Sequence, residues 1–355
     1  MRPAGGLAAI LGSLVLAGVI VGCVAVSQPA DPSPLPPTST DKPAATTPPD
    51  TPVSLAMDAY GPLSVESLPS ATPQPTPFVS RTPTSTPEAC QSEVCYFTQV
   101  FSLALPIQPP GRDKVDPTYR FGNTQNGARE PHHGVEFLNS AGTPVHAVAD
   151  GQVVVAGDDR TQIYGLYPDF YGNLVILRHA LPGLPWPVFT LYGHLSRVSV
   201  EVGAMVPAGA EIGRVGMTGV ATGSHLHLEV RLGANSYQAA RNPELWLKPH
   251  PGMNGLPGGA LAGRVLDAGG RLLEVPSFVV ERLMSQDGPV IETIYLDAYA
   301  EPELTGLAPW RESFGVGDLP AGWYRVSFVK SVVYRRVVQV LPGQLALLTV
   351  RLGEP

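Results

Sequence analysis

The sequence is poor in charge, in cysteine and in helical periodicity. Only 15% of its 355 residues are charged, against about 25% in ordinary globular domains. No long segment repeats its apolar residues every 3.6 positions, which excludes a helical bundle or a coiled coil. Three cysteines are too few for a disulfide-dense mini-protein. Positive charge is not in excess either. The formal net charge of −7 argues against nucleic acid as a partner. What the chain has in plenty is proline, 39 residues, and glycine, 38. That composition predicts a mainly β protein with many turns and an extended proline-rich stretch. The length predicts two domains and a linker, at about 100–200 residues per domain.

After Arg2 the run Pro3–Ala30 carries no charge, and its apolar centre, Leu7–Ile20, has the length of a signal-peptide core. It ends in Ile20-Val21-Gly22-Cys23, which resembles a bacterial lipobox. The resemblance implies a lipoprotein signal peptide over 1–22 and lipidation of Cys23, hence a membrane-anchored lipoprotein at the cell surface or in the periplasm. Pro3–Val26 is also long enough to span a bilayer uncleaved; both readings put the rest of the chain outside the cytoplasm. Residues 23–89 are rich in Pro, Thr and Ser. They cannot bury enough apolar surface to offset their ordering entropy, so a disordered, semi-rigid spacer is expected. In an oxidising compartment Cys90 and Cys95 read as a small-loop disulfide.

Residues 90–250, with a core at 120–248, change to short apolar segments separated by glycine turns. Strands are predicted at Val145–Val155, Asn173–Arg178, Val188–Tyr192, Glu211–Val215 and His225–Arg231. The turns within Val200–Gly213 have the half-barrel texture of lipoyl and biotinyl carriers. A carrier needs a lysine at a hairpin tip, and none occurs between Lys114 and Lys248. Residues 251–355 predict six further strands: Leu261–Leu266, Phe278–Arg282, Glu292–Tyr299, Trp323–Lys330, Tyr334–Leu341 and Leu345–Leu352. Such a series suggests a Greek-key β-sandwich. Gly263–Gly270 and Gly317–Val326 loosely resemble a prealbumin-like, carboxypeptidase-regulatory sandwich. This module contains neither His nor Cys.

All eight histidines, at 132, 133, 146, 179, 194, 225, 227 and 250, fall in or at the edge of the middle domain. Three patterns stand out: His132-His133-Gly134-Val135-Glu136, Tyr192-Gly193-His194-Leu195 and His225-Leu226-His227-Leu228-Glu229. On a strand, residues i and i+2 face one way, so His225 and His227 point together. His132 and Glu136 share a parity if their segment is extended, and Gly134 removes a side chain where the two would crowd. A hydrolytic zinc takes three protein ligands and leaves one position open. Three ligands with two histidines left to handle protons suits a metal hydrolase. Glu229 shares the parity of the two histidines and is a candidate supporting carboxylate. His133 is a candidate groove residue, and His146, His179 and His250 read as structural.

These motifs resemble the lysostaphin/LytM-type (beta-lytic) zinc metalloendopeptidases, which show H-x-G-x-D, Y-x-H-L and H-x-H in that order. The resemblance covers about residues 120–248. It implies zinc (Zn2+) held by His132, Glu136 and His227, a catalytic pair His194 and His225, and peptidoglycan stem or cross-link peptides as substrate. His225 is expected to act as general base and His194 to donate to the oxyanion; the sequence leaves the order of the two roles open. One departure stands: the family's carboxylate is aspartate, and Glu136 is a methylene longer. The alternative reading is a catalytically inert LytM-like scaffold that binds cell-wall peptides or activates an amidase. The C-terminal sandwich is expected to position the enzyme or contact wall polymer.

Overall fold

The computed structural model describes residues 92–353, apart from 99, 253, 254, 301, 303 and 309. The expected signal peptide (1–22), Cys23, the expected linker (23–89) and Cys90 lie outside the described residues. Cys95 is disulfide-bonded.

Before residue 250 the strands are β1 (Val94–Phe97), β2 (Val135–Leu138), β3 (Pro144–His146), β4 (Gly151–Asp158), β5 (Asn173–His179), β6 (Val188–Gly193), β7 (Leu195–Val198), β8 (Met205–Val206), β9 (Glu211–Val215), β10 (His225–Leu232) and β11 (Ala240–Arg241). After it come β12 (Gly259–Leu266), β13 (Ser277–Leu283), β14 (Val290–Asp297), β15 (Phe314–Leu319), β16 (Gly322–Val329), β17 (Val333–Val340) and β18 (Leu345–Arg351). Among the described residues the helical elements are two single 3-10 turns, Tyr237–Ala239 and Pro243–Leu245, so the mainly β expectation holds. No described helix is long and apolar enough to cross a membrane.

The sheet that carries the histidines runs β11-β10-β6-β5-β4-β8, with β2 also paired to β10. Its pairings are antiparallel. Leu174–Leu177 of β5 are all fully buried, because this strand sits mid-sheet with both faces covered. A smaller sheet, β3-β9-β7, packs beside it. The expected strand Val145–Val155 is two strands. Residues 147–150 part β3 from β4, and β3 joins β9 whereas β4 joins β5.

The C-terminal half forms two four-stranded sheets, β1-β18-β12-β15 and β14-β13-β16-β17. Phe314 and Leu348 of the first share an apolar cluster with Phe278, Tyr324 and Val338 of the second. Two features depart from a self-contained antiparallel module. The pairing of β12 with β18 is parallel, and β1, from the start of the described chain, supplies the edge strand through Val94↔Leu348 and its neighbours. The first sheet also serves two cores. Leu261, Ala346 and Leu348 point into the C-terminal cluster. Their alternates Ala260, Ala262, Leu345 and Leu347 join the core around Leu177, Leu228 and Trp246. Period-two alternation thus makes one sheet a wall between both cores, each fully buried leucine contributing roughly 1.5–3 kcal/mol.

Candidate metal centre and its cleft

Strand β10 is the spine of the site. Its register sets His227 opposite Glu136 on β2 and opposite Gly193 at the end of β6, so Glu136 flanks His227 from one neighbouring strand and His194 from the bend that follows the other. The strand is densely buried throughout, and of its polar side chains His227, Glu229 and Arg231 are linked in one network. Gly134 is required by this arrangement. A Cβ there would lie 2.7 Å from His227 Nε2 and 2.5 Å from the Leu228 carbonyl oxygen. His132 does not arrive on a strand, as parity with Glu136 had suggested; β2 begins at Val135. It is delivered by a loop whose backbone is hydrogen-bonded to the 119–123 segment: Gly122 N–H donates to the His132 carbonyl at 2.8 Å and His132 N–H to the Asn123 carbonyl at 3.1 Å. All five predicted residues line one cleft of about 550 Å3, with Tyr119, Phe170 and Tyr237 among its walls. A larger groove of about 890 Å3 lies beyond Leu138 and Ser224 and contains none of the five.

Each histidine is tied at one ring nitrogen and bare at the other. His132 Nδ1 lies 3.1 Å and 3.3 Å from the Tyr119 and Arg120 carbonyls, and its ring stacks on Tyr119 with centroids 4.0 Å apart. His227 Nε2 lies 3.2 Å from Glu229 Oε1. His194 Nδ1 faces the Thr218 carbonyl and His225 Nδ1 the Gly223 carbonyl, both at 2.8 Å. A carbonyl or carboxylate oxygen only accepts, so the proton of each neutral imidazole sits on the tied nitrogen. His132 Nε2 and His227 Nδ1 face each other at 3.2 Å; with both rings neutral these are two lone pairs, which a shared cation would reconcile.

Glu136 completes the set. One ligand atom from each of His132, Glu136 and His227 lies within 4.8 Å of the others, and His132 Nε2 is 3.9 Å from Glu136 Oε1. Tetrahedral zinc at its usual bond lengths holds its ligand atoms about 3.3 Å apart; the two imidazole nitrogens, 3.2 Å apart, match this spacing, and the carboxylate lies somewhat farther out, at 3.9 Å from His132 Nε2. Two imidazoles and a carboxylate are a donor set zinc accepts, and the residues present fit the ion. His225 Nε2 sits 3.3 Å from Glu136 Oε1 but, although buried, makes no hydrogen bond. It is aimed into the cleft and left free.

Beneath His227 lies a fully buried network. Glu229 Oε2 accepts from Arg231 Nε at 2.7 Å, and Tyr171 donates its hydroxyl to Glu229 Oε1. Burial alone would raise the Glu229 carboxyl; the Arg231 guanidinium and the His227 hydrogen bond outweigh it and hold the group well below the ordinary range. Burial, reinforced by the neighbouring His227 and His225, pushes His194 down to about 3. Burial likewise lowers His225, opposed by Glu136. Both are therefore neutral near pH 7. The backbone of His194 has φ of +61°, a left-handed conformation uncommon outside glycine, fixed by its N–H to the Tyr171 carbonyl at 2.8 Å.

The remaining histidines separate cleanly. His133 stacks on Tyr237 at 3.6 Å and lines the cleft wall. His179 is used on both sides, by the Asp150 carbonyl and Thr190 Oγ1. His250 bridges Asp113 and Asp318, and His146 lies in the larger groove. Sequence reasoning did not single out Tyr119, Tyr171, Thr218 and Arg231. Arg231 is the next same-face position after Glu229 on β10, the one local signal that pointed to it.

Residues 130–240 match peptidase family M23, and the lysostaphin/LytM-type resemblance of the middle domain holds. The chain is similar to the glycyl-glycine endopeptidase ALE-1 of Staphylococcus capitis, 35% identical over 119 residues, which are 33% of this chain and 29% of that enzyme. It is similar to the peptidoglycan DD-endopeptidase ShyA of Vibrio cholerae, 38% identical over 100 residues, 28% of this chain and 20% of that one. The match thus spans less than a third of these relatives. Among solved structures, the catalytic domain of lysostaphin from Staphylococcus simulans aligns at 33% identity over 37% of this chain and 88% of that chain, with a TM-score of 0.30.

Proposed function

We propose that this protein is an extracytoplasmic zinc metalloendopeptidase that hydrolyses peptide bonds of peptidoglycan. The observation that carries the reading is the pair of bare imidazole nitrogens, His132 Nε2 and His227 Nδ1, 3.2 Å apart with the Glu136 carboxylate beside them. The substrate class rests on what the similar enzymes are named for, glycyl-glycine and peptidoglycan endopeptidases. In this reading Cys23 carries the lipid anchor, Cys90 partners Cys95, and residues 90–250 form the peptidase with 251–355 as an appended module.

His132, Glu136 and His227 would hold the zinc, which when bound would supply Lewis acidity toward the scissile carbonyl and a water made nucleophilic near neutral pH. The chain's own residues do the rest. His225, neutral and bare at Nε2, accepts the proton of the attacking water and, once charged, delivers it to the leaving amine. His194 is also neutral, with its proton held on Nδ1 by Thr218. Its Nε2 is thus an acceptor first, and it donates to an oxyanion only after taking up a proton. These tautomers favour proton carriage for both histidines over a fixed donor role for His194. Tyr119, Phe170 and Tyr237 give the cleft aromatic walls against which an extended peptide would lie.

The test is mass spectrometry of muropeptides after digestion with wild type and Glu136→Ala. New peptide termini with wild type alone support the reading. Zinc-independent binding of wall peptides without cleavage would favour the inert scaffold.

A further inference from the structure

The C-terminal half of the chain touches the segment that holds His132. Residues 119–123 give that histidine its two carbonyl acceptors, its stacked ring and two backbone hydrogen bonds. Arg120 pairs with Glu244 and Phe121 packs on Ala240, and further contacts to this segment come from beyond residue 290. Asp297 Oδ2, at the end of β14, accepts from Thr124 N–H at 2.9 Å and from its hydroxyl at 3.3 Å. Tyr299 is buried edge-on against Phe121, with ring centroids 5.0 Å apart. Its ring comes so close to Gly122 that a Cβ there would meet Tyr299 Cδ1 at 2.9 Å. Gly122 itself has φ of +82°, so the turn and the close approach both need glycine. Tyr299 is in turn anchored by its N–H to the Ser313 carbonyl at 2.8 Å and its hydroxyl to Glu312.

We propose that Asp297 and Tyr299 are positioning residues for the metal ligand His132, so that the C-terminal half is a brace of the centre and not only an appended module. The proposal rests on the zinc reading above for its consequence, and on the contacts alone for its geometry. Groups that orient a metal-bound histidine set its affinity without touching the ion; here they act through the backbone of residues 119–124.

The experiment uses the full chain with Asp297→Ala, Tyr299→Ala, the conservative pair Asp297→Asn and Tyr299→Phe, and Val338→Ala as a control. Val338 is buried in the C-terminal cluster and lowers stability without touching the brace. Two quantities are read: the zinc dissociation constant by chelator competition, and amide hydrogen exchange across residues 119–133 in metal-free protein. The alanine variants at 297 and 299 are expected to weaken zinc binding about tenfold or more and to speed exchange at Gly122 and His132. Asp297→Asn should stay near wild type, since Asn retains an acceptor, and Tyr299→Phe should fall between wild type and Tyr299→Ala, since Phe keeps the ring against Phe121 and Gly122 but loses the hydroxyl bond to Glu312. Val338→Ala should lower the melting temperature and change neither quantity. Should Tyr299→Ala fail to fold, Asp297→Ala, at a half-buried strand end, decides alone. Folded alanine variants with wild-type zinc affinity and wild-type exchange would overturn the proposal. If wild type itself bound no zinc, the functional reading would fail, and exchange alone would decide the brace.

Discussion

Glu136 and His227 stand directly opposite each other on neighbouring antiparallel strands, and this single register brings a carboxylate and an imidazole to one face of the sheet. Room for the His227 ring itself is kept by Gly134, over which its Cε1–Nε2 edge lies.

Replacing that glycine is therefore costly. Gly134→Ala places a methyl 2.5 Å from the Leu228 carbonyl oxygen and 2.7 Å from the imidazole. Overpacking of this kind costs roughly 1–3 kcal/mol. Denaturant titration is expected to show that loss, and chelator competition a weakened zinc site. Wild-type values in both would mean that β2 and β10 are less tightly apposed than described.

Glu229 and Arg231 are both fully buried, and removing one leaves the other without its counter-charge. Glu229→Ala should cost about 3–5 kcal/mol of stability. In the variant fraction that remains folded, zinc affinity should fall about 10–100-fold, because His227 Nε2 loses the carboxylate that fixes its tautomer. Urea unfolding and chelator competition measure the two effects separately.

His194 and His225 lie outside the ligand set, so His194→Ala and His225→Ala should keep stoichiometric zinc while turnover on purified peptidoglycan falls by about 10^2–10^4-fold, the usual worth of a general acid or base. Parallel zinc analysis and turnover distinguish this from loss of the metal. Near-full turnover in either variant would remove that residue from the mechanism.

His250 gives the chain a pH-dependent clamp away from the centre. Burial lowers its pKa, but Asp113 and Asp318 on either side outweigh burial and raise it above the ordinary value. A histidine raised on folding adds stability that is full below its unfolded pKa near 6.5 and is lost as pH rises through the folded value. The urea midpoint of wild type should exceed that of His250→Gln at pH 5.5, and the gap should shrink at pH 9. A gap that does not change with pH would mean that the pair of aspartates does not hold a charged imidazole.

Much of the centre was legible because it is local. H-x-H on a strand sends two imidazoles one way by parity alone, and β9, predicted at Glu211–Val215, has those bounds. The rest depends on contacts far apart in sequence. The pairing of β1 with β18 leaves no periodic mark in either segment. Strand β15 (Phe314–Leu319) escaped because Gly315 and Gly317 are poor strand formers; they are glycines because the Asn242 and Leu245 side chains crowd against the first and Glu244, mainly its backbone, against the second. His132 is seated by a loop, so parity with Glu136 was the wrong device for placing it. Its neighbours Tyr119 and Arg120 act through backbone carbonyls, which no residue pattern encodes.

The central claim is that His132, Glu136 and His227 hold one zinc. Zinc analysis of the purified chain under zinc-replete conditions, with wild type beside Glu136→Ala, tests it most directly. One zinc per wild-type chain, with two nitrogen ligands and one carboxylate ligand from the protein by X-ray absorption and a stoichiometric site lost in Glu136→Ala, is the predicted result. A folded wild-type chain without stoichiometric zinc, or one whose zinc is indifferent to Glu136, would contradict it.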